Sequence, residues 1–217
     1  MGIQHKRKIQ KTAHFSTIGD PTKTIEELWI VCHGYGQLAS KFIDDFHVLK
    51  QPGRLIVAPE GLSRFYWGGF TGPVVSSWMT SGDRLDEIED YCNWLDSLYA
   101  ELQSMFFPNI KITILGFSQG TATVMRWLHA RQPNIHQLIL WAGMTPEDIS
   151  YLELTDYFKK INKIFVYGTE DKFITSERLE WHAGFLKEQK LDFQVLDFEG
   201  KHRMDDELLR SISNNEN

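Results

Sequence analysis

Two cysteines, Cys32 and Cys92, are too few for a disulfide framework; Cys32 sits in a buried-strand pattern and Cys92 in a helix pattern, so both read as reduced packing residues. No apolar run approaches the length needed to span a bilayer. Met1 to Gln10 lacks the apolar stretch of a secretory signal, and Lys6 stands where a myristoylation signal carries Ser or Thr. Basic residues are in deficit: Lys and Arg number 23 against 29 Asp and Glu, a formal charge of -6, which leaves no electrostatic footprint for nucleic acid. The one basic cluster, Lys6-Arg7-Lys8, reads as part of a solvated early strand. Repeats, low-complexity segments and polar linkers are missing too. These absences leave a cytoplasmic protein whose residues 1–217 form a single α/β domain, with about 213–217 as a frayed tail.

What is present is a series of short apolar runs separated by glycine-bearing loops and helical patterns. Leu28 to Cys32 and Leu55 to Ala58 are continuous apolar runs, as expected of strands buried on both faces. Ile112 to Leu115, Gln137 to Trp141, Ile161 to Tyr167 and Asp192 to Phe198 repeat the pattern. Between them, three- and four-residue spacing predicts helices over Ala39 to Leu49, Arg84 to Phe106 with Pro108 as its stop, the segment up to Arg131, Ser176 to Gln189 and Met204 to Ile212. Ile3, Ile9 and Phe15 suggest one or two edge strands near the start. Alternating strand and helix predicts a doubly wound, mostly parallel sheet with helices on both faces. Glu60 to Gly82 reads as a long aromatic-rich loop, too short for a separate lid domain and too apolar for disorder.

In sheets of this type ligands bind beyond the carboxyl ends of the strands, which restricts the search to a few loops. One of them is Gly116-Phe117-Ser118-Gln119-Gly120, between a strand and a helix. Glycines on both sides of a serine permit the sharp turn that lifts its hydroxyl above the sheet, so Ser118 is a candidate nucleophile. Serine is a poor nucleophile at neutral pH and needs a base, oriented in turn by an acid. His202 and Asp171 follow the last two strands, and the order serine, acid, histidine is the one this architecture requires. The Gln119 amide at the helix start, and an amide of the His33-Gly34-Tyr35-Gly36 loop, here Tyr35, are candidates for an oxyanion hole.

Each assignment has a rival. Glu170 competes with Asp171 for the acid, with Glu60 behind it, and His33 reads as a hydrogen-bonding brace for its loop rather than a base. Tyr66, Trp67, Trp78, Met144 and Phe173 are candidates for substrate contact, and the alternative for any of these large side chains is to cover the sheet. His129, His136 and His182 lack metal-ligand spacing, so neither metal nor cofactor is expected. The reaction implied is acyl transfer to water from a small-molecule carboxylic ester, with thioesters and lysophospholipids as alternatives, beside which stands a non-catalytic small-molecule-binding protein on the same fold.

From Trp29 to His202 the chain resembles the α/β-hydrolase superfamily, and within it the small phospholipase/carboxylesterase group that includes acyl-protein thioesterases and bacterial predicted esterases. His33-Gly34-Tyr35-Gly36, Ala58-Pro59-Glu60-Gly61, the Ser118 pentapeptide, Gly168-Thr169-Glu170-Asp171 and Gly200-Lys201-His202 carry the likeness. By position it implies Ser118, Asp171 and His202 as the triad, with the Tyr35 and Gln119 amides as oxyanion donors. Two positions depart from the pattern: Gln37 replaces an acidic residue, and Thr121 a small glycine or alanine.

Overall fold

The computed structural model describes residues 2–22, 24–106 and 110–214. Among the described residues nine strands form in chain order: β1 Phe15–Ile18, β2 Glu27–Cys32, β3 Arg54–Pro59, β4 Ser63–Tyr66, β5 Val74–Ser77, β6 Lys111–Phe117, β7 Gln137–Trp141, β8 Asn162–Gly168 and β9 Gln194–Phe198. Helices α1 Ala39–Phe42, α2 Arg84–Met105, α3 Gln119–Arg131, α4 Thr155–Lys159, α5 Ser176–Glu188 and α6 Asp206–Ser213 connect and cover them. A tight helical segment of the 3-10 type, Ile43–Leu49, continues α1.

Seven strands make one sheet in the order β1-β3-β2-β6-β7-β8-β9, parallel throughout except for β1 against β3. Because successive side chains on a strand point to opposite faces, β2 divides its apolar residues. Leu28, Ile30 and Cys32 join a core under α2, α3, α4 and α5. Trp29 and Val31 join a second core with Phe42, Phe46, Leu209 and Ile212 of α1, the 3-10 segment and α6. Continuous apolar strands are the signature of a sheet covered on both sides, and that is why these runs carry so little polar residue.

Three local expectations differ. Residues 2–14 form no strand, and Ile3 and Ile9 are exposed; alternation alone cannot hold a strand that lacks a pairing partner. Lys6 instead pairs with Asp83 and Asp86 beside the start of α2. The stretch Glu60 to Gly82 is not all loop but contains the antiparallel hairpin β4-β5, with Phe65 opposite Val75. Helix α2 ends at Met105; its expected stop, Pro108, and residues 215–217 of the expected frayed tail lie outside the described residues. Among the described residues no helix is long and apolar enough to cross a membrane.

The chain runs outward from β2 to β3, then returns to the other side of β2 as β6. The crevice between β2 and β6 is therefore the switch point where loops diverge and a ligand can enter. Cys32 pairs with Gly116 there, so the loop after β2 and the turn after β6 begin side by side.

Candidate active site

Ser118 holds φ 53° and ψ -116°, a backbone conformation that a residue with a side chain adopts only under strain. The turn is locked from both sides: the Ser118 amide donates to the Trp141 carbonyl at 2.8 Å, and the Thr121 amide and hydroxyl donate to the Ser118 carbonyl at 3.0 and 2.7 Å. Thr121 thus has a task that glycine or alanine could not perform, and its hydroxyl also reaches the Met144 carbonyl at 3.2 Å. Glycine is required on each flank, since a Cβ at Gly116 would strike the Gly120 backbone and one at Gly120 would strike the carbonyls of Cys32 and His33.

Asp171 and His202 follow neighbouring strands, β8 and β9, whose last residues Gly168 and Phe198 are paired. His202 Nδ1 lies 2.7 Å from Asp171 Oδ2, and the other carboxylate oxygen accepts the Phe173 amide at 2.8 Å. The Asp171 side chain is fully buried and that of His202 is 24% exposed, so the carboxylate is shielded while the imidazole meets solvent. Glu170, the rival acid, is exposed, whereas Asp171 faces the imidazole. Phe117 and Phe173 flank the His202 ring, at centroid distances of 5.0 and 4.9 Å. Ser118 directly follows Phe117, so the imidazole and the Ser118 turn share that ring as a common wall. The Trp141 indole donates to the Arg203 carbonyl at 2.9 Å and fixes the histidine loop to the end of β7.

On the opposite flank, the loop after β2 approaches until a Cβ at Gly34 would lie 3.1 Å from Ser118 Cβ. His33 braces this loop. It is fully buried, its Nε2 accepts the Gly61 amide at 3.0 Å, and the proton thereby assigned to Nδ1 is donated to the Gly34 carbonyl at 2.7 Å. Burial disfavours its charged form and pulls its pKa down to about 4, so near neutrality it is an uncharged support. Gln37, in place of an acid, accepts the Gly34 amide at 2.7 Å through Oε1. Glu60 is occupied too: Oε1 pairs with Arg64 and Oε2 accepts the Ala39 amide at the start of α1.

The expected substrate contacts separate into distinct places. Trp67 and Tyr35 pack against each other with centroids 5.8 Å apart, Phe65 completes the group, and both Tyr35 and Trp67 are about half exposed. Gly36, at φ 75°, is obligatory there, because a Cβ would meet the Trp67 ring. Phe173 is largely exposed beside His202, and Met144 is half-buried past β7. Tyr66 does not join this group. It follows Phe65 in β4, where successive side chains alternate, and is 54% exposed. Trp78 lies elsewhere: at 1% exposure its ring stacks on His33, at 5.0 Å, and its indole donates to the His33 carbonyl at 2.8 Å, which makes it part of the wall.

Sequence reasoning missed the Gln119 side chain, which reaches Ser77, Trp78 and Met79, and the contact of His182 with Thr145. Nothing in the sequence pairs these residues, since each contact joins segments tens of positions apart.

Comparison with known proteins agrees with this architecture. Curated protein sequences give no match. Solved structures that superpose on the chain include esterase PE8 (18% identity, TM-score 0.70, covering 94% of this chain and 98% of that one) and a carboxylesterase from Mesorhizobium loti (14%, 0.70, 93% and 94%). Acyl-protein thioesterase 2 from Zea mays also superposes (19%, 0.67, 94% and 99%). At such identities the likeness establishes the fold. The family model described as phospholipase/carboxylesterase, however, matches residues 13–215, nearly the whole sequence and every loop described above, and the chain belongs to that family.

Proposed function

We propose that the protein is a cofactor-free serine hydrolase of the carboxylesterase type, acting on small-molecule carboxylic esters through an acyl-enzyme. The observation that carries this reading is the 2.7 Å contact between His202 Nδ1 and a fully buried Asp171 carboxylate, on an imidazole that shares Phe117 with the strained Ser118 turn.

Asp171 holds the His202 proton on Nδ1, which leaves Nε2 free to take the Ser118 hydroxyl proton as the oxygen attacks the ester carbonyl. The tetrahedral oxyanion is met by the Tyr35 and Gln119 amides, and His202 returns the proton to the departing alcohol. Water, activated by the same imidazole, then releases the acid and restores Ser118. Phe173, Trp67 and Tyr35 supply apolar surface at the rim for the acyl or alcohol portion. Thioesters and lysophospholipids present the same carbonyl chemistry and belong in the substrate series.

A fluorophosphonate probe is expected to label the wild-type protein, with Ser118→Ala abolishing both labelling and turnover of a short-chain nitrophenyl ester. Hydrolysis persisting in Ser118→Ala would remove the serine from the mechanism. A chain-length series of esters and thioesters, with Ser118→Ala as background, then ranks the substrates.

A further inference from the structure

The end of β5 and the residues after it, Ser76 to Met79, lie between the two backbone segments that supply the proposed oxyanion donors. Toward the loop after β2, the Gly36 amide donates to the Ser76 carbonyl at 2.9 Å, and both the Ser76 amide and hydroxyl donate to the Gln37 carbonyl, at 3.1 and 2.8 Å. Trp78 adds its bond to the His33 carbonyl and its stack on the His33 ring. Toward the nucleophile, the Gln119 side chain closes the connection. Its Oε1 accepts the Trp78 amide at 3.2 Å and lies 3.3 Å from the Ser77 hydroxyl, while its Nε2 donates to the Met79 carbonyl at 2.9 Å.

Gln119 is the first residue of α3, and Ser118 before it makes no side-chain cap bond. Its carboxamide therefore turns away from its own helix, across to a neighbouring segment, and uses donor and acceptor together. Only a carboxamide of this length can do both at once: methionine keeps the length and loses both bonds, and glutamate would set a charge against the Met79 carbonyl.

We propose that Gln119 is a positioning residue whose side chain, through the splint Ser76–Met79, sets the separation between its own backbone amide and the Tyr35 amide. The proposal rests on the serine-hydrolase reading. It follows from the geometry an oxyanion demands: donors about 2.7–3.1 Å from the place where charge develops. A donor amide on a short turn can drift, and a shift of about 1 Å at a reacting centre costs roughly a hundredfold in rate. His33, Gln37 and Ser76 restrain one donor, and Gln119 restrains the other against the same strand.

The test is to measure kcat and KM on a nitrophenyl butyrate, together with the inhibition constant of a trifluoromethyl ketone, whose hemiketal with Ser118 places an oxyanion in the same position. Gln119→Met is expected to lower kcat roughly ten- to a hundredfold, with KM within about twofold. The ketone should weaken by the same factor and the midpoint of the pH–rate profile should hold, which a merely structural role would not produce together. Ser77→Ala, on the same segment but off α3, is expected to lower kcat and ketone affinity in parallel by roughly two- to fivefold. Wild-type kcat in Gln119→Met, or a fall in kcat with ketone affinity unchanged, overturns the proposal. If Gln119→Met does not fold, wild-type kcat and ketone affinity in Ser77→Ala overturn it instead. Activity surviving in Ser118→Ala would defeat the parent reading, whereas an inactive Ser118→Ala beside an unaffected Gln119→Met defeats this inference alone.

Discussion

The wall behind the proposed nucleophile and the rim in front of it are built from the same short stretches of chain and are both rich in rings, yet they are held by opposite means. In the wall, Trp78 is tied by hydrogen bonds to His33 on one side and to Gln119 on the other, Ser76 is tied to Gln37, and Trp78 is 1% exposed. On the rim, Tyr35, Phe65 and Trp67 touch mainly one another, and Phe70 at the hairpin tip is 96% exposed. Trp67 and Trp78 stand eleven residues apart on the two limbs of one insertion, and nothing in their immediate sequence separates their fates. A ring whose polar edge finds a buried carbonyl becomes architecture, and one that finds only other rings becomes surface. Substitutions in the wall should therefore alter rate or stability, and substitutions on the rim should alter binding.

The sharpest division is expected at the acid of the proposed triad. Asp171→Asn should lower kcat roughly 10⁴-fold, because the amide cannot hold the His202 tautomer. Glu170→Gln, one position earlier and exposed, should leave kcat within about twofold. Steady-state turnover of a nitrophenyl ester measures both, and equal losses in the two variants would contradict the assignment of the acid. Below this comes the wall itself. Trp78→Ala should cost about 3–5 kcal/mol of stability through the cavity it leaves and the lost bond to His33, read from the urea midpoint. A midpoint shift as small as that of a rim variant would erase the distinction between the two regions.

A smaller effect is expected from acid. His33 in the wall and His182 beneath the turn after β7 are both buried, and burial pulls each pKa from 6.5 to about 4. His182 Nε2 accepts the Thr145 amide at 3.2 Å, its ring packs on Phe165, and the Arg178 charge lowers its pKa further. His33 is opposed in the other direction by its Gly34 bond and by Glu60, which only partly offset burial. Since the folded pKa is the lower one, the unfolded chain binds protons that the folded chain refuses, and acid favours unfolding. The stabilisation is complete above about pH 6.5 and is lost as pH falls toward 4, amounting to roughly 2 kcal/mol per histidine by pH 5. Urea titrations at pH 7.5, 6 and 5 should show this decline, and His182→Gln should flatten it; an unchanged slope would mean that His182 does not titrate as its burial requires.

The strands were readable because burial on both faces leaves continuous apolar runs, and β2, β3, β6, β7 and β8 fall within a residue or two of those runs. The nearness of Asp171 to His202 was readable for a different reason. A rigid sheet converts position after a strand into position in space, so chain order carried geometric information. The hairpin β4-β5 escaped notice because its strands have four residues each and the segment joining them lacks the two-residue turn signal that announces most hairpins. Apolar character says that a ring seeks cover without saying which side offers it, so the burial of Trp78 and the exposure of Tyr66 emerge only in the folded chain. The Gln119 and Gln37 side chains were silent for the same reason: a carboxamide is satisfied by water as well as by protein, and only the folded chain determines its partners.

The rim should give the smallest effect and the clearest contrast. Trp67→Ala removes a half-exposed ring whose neighbours are Tyr35 and Phe65, so the urea midpoint should move little, by about 0.5 kcal/mol or less. A ring removed from an apolar substrate surface loses binding that the ground and transition states share, which raises KM and leaves kcat largely alone. The increase should grow with acyl length, from about twofold on a short ester to roughly tenfold on a medium-chain one, because each methylene covered contributes up to about 0.8 kcal/mol. Phe70→Ala, at the tip and farther from the Tyr35 ring, should change less than Trp67→Ala on every ester. Should Trp67→Ala instead reduce kcat by the same factor on all chain lengths, the ring would be steering the Tyr35 amide through Gly36 rather than meeting substrate, and the rim would belong functionally to the wall.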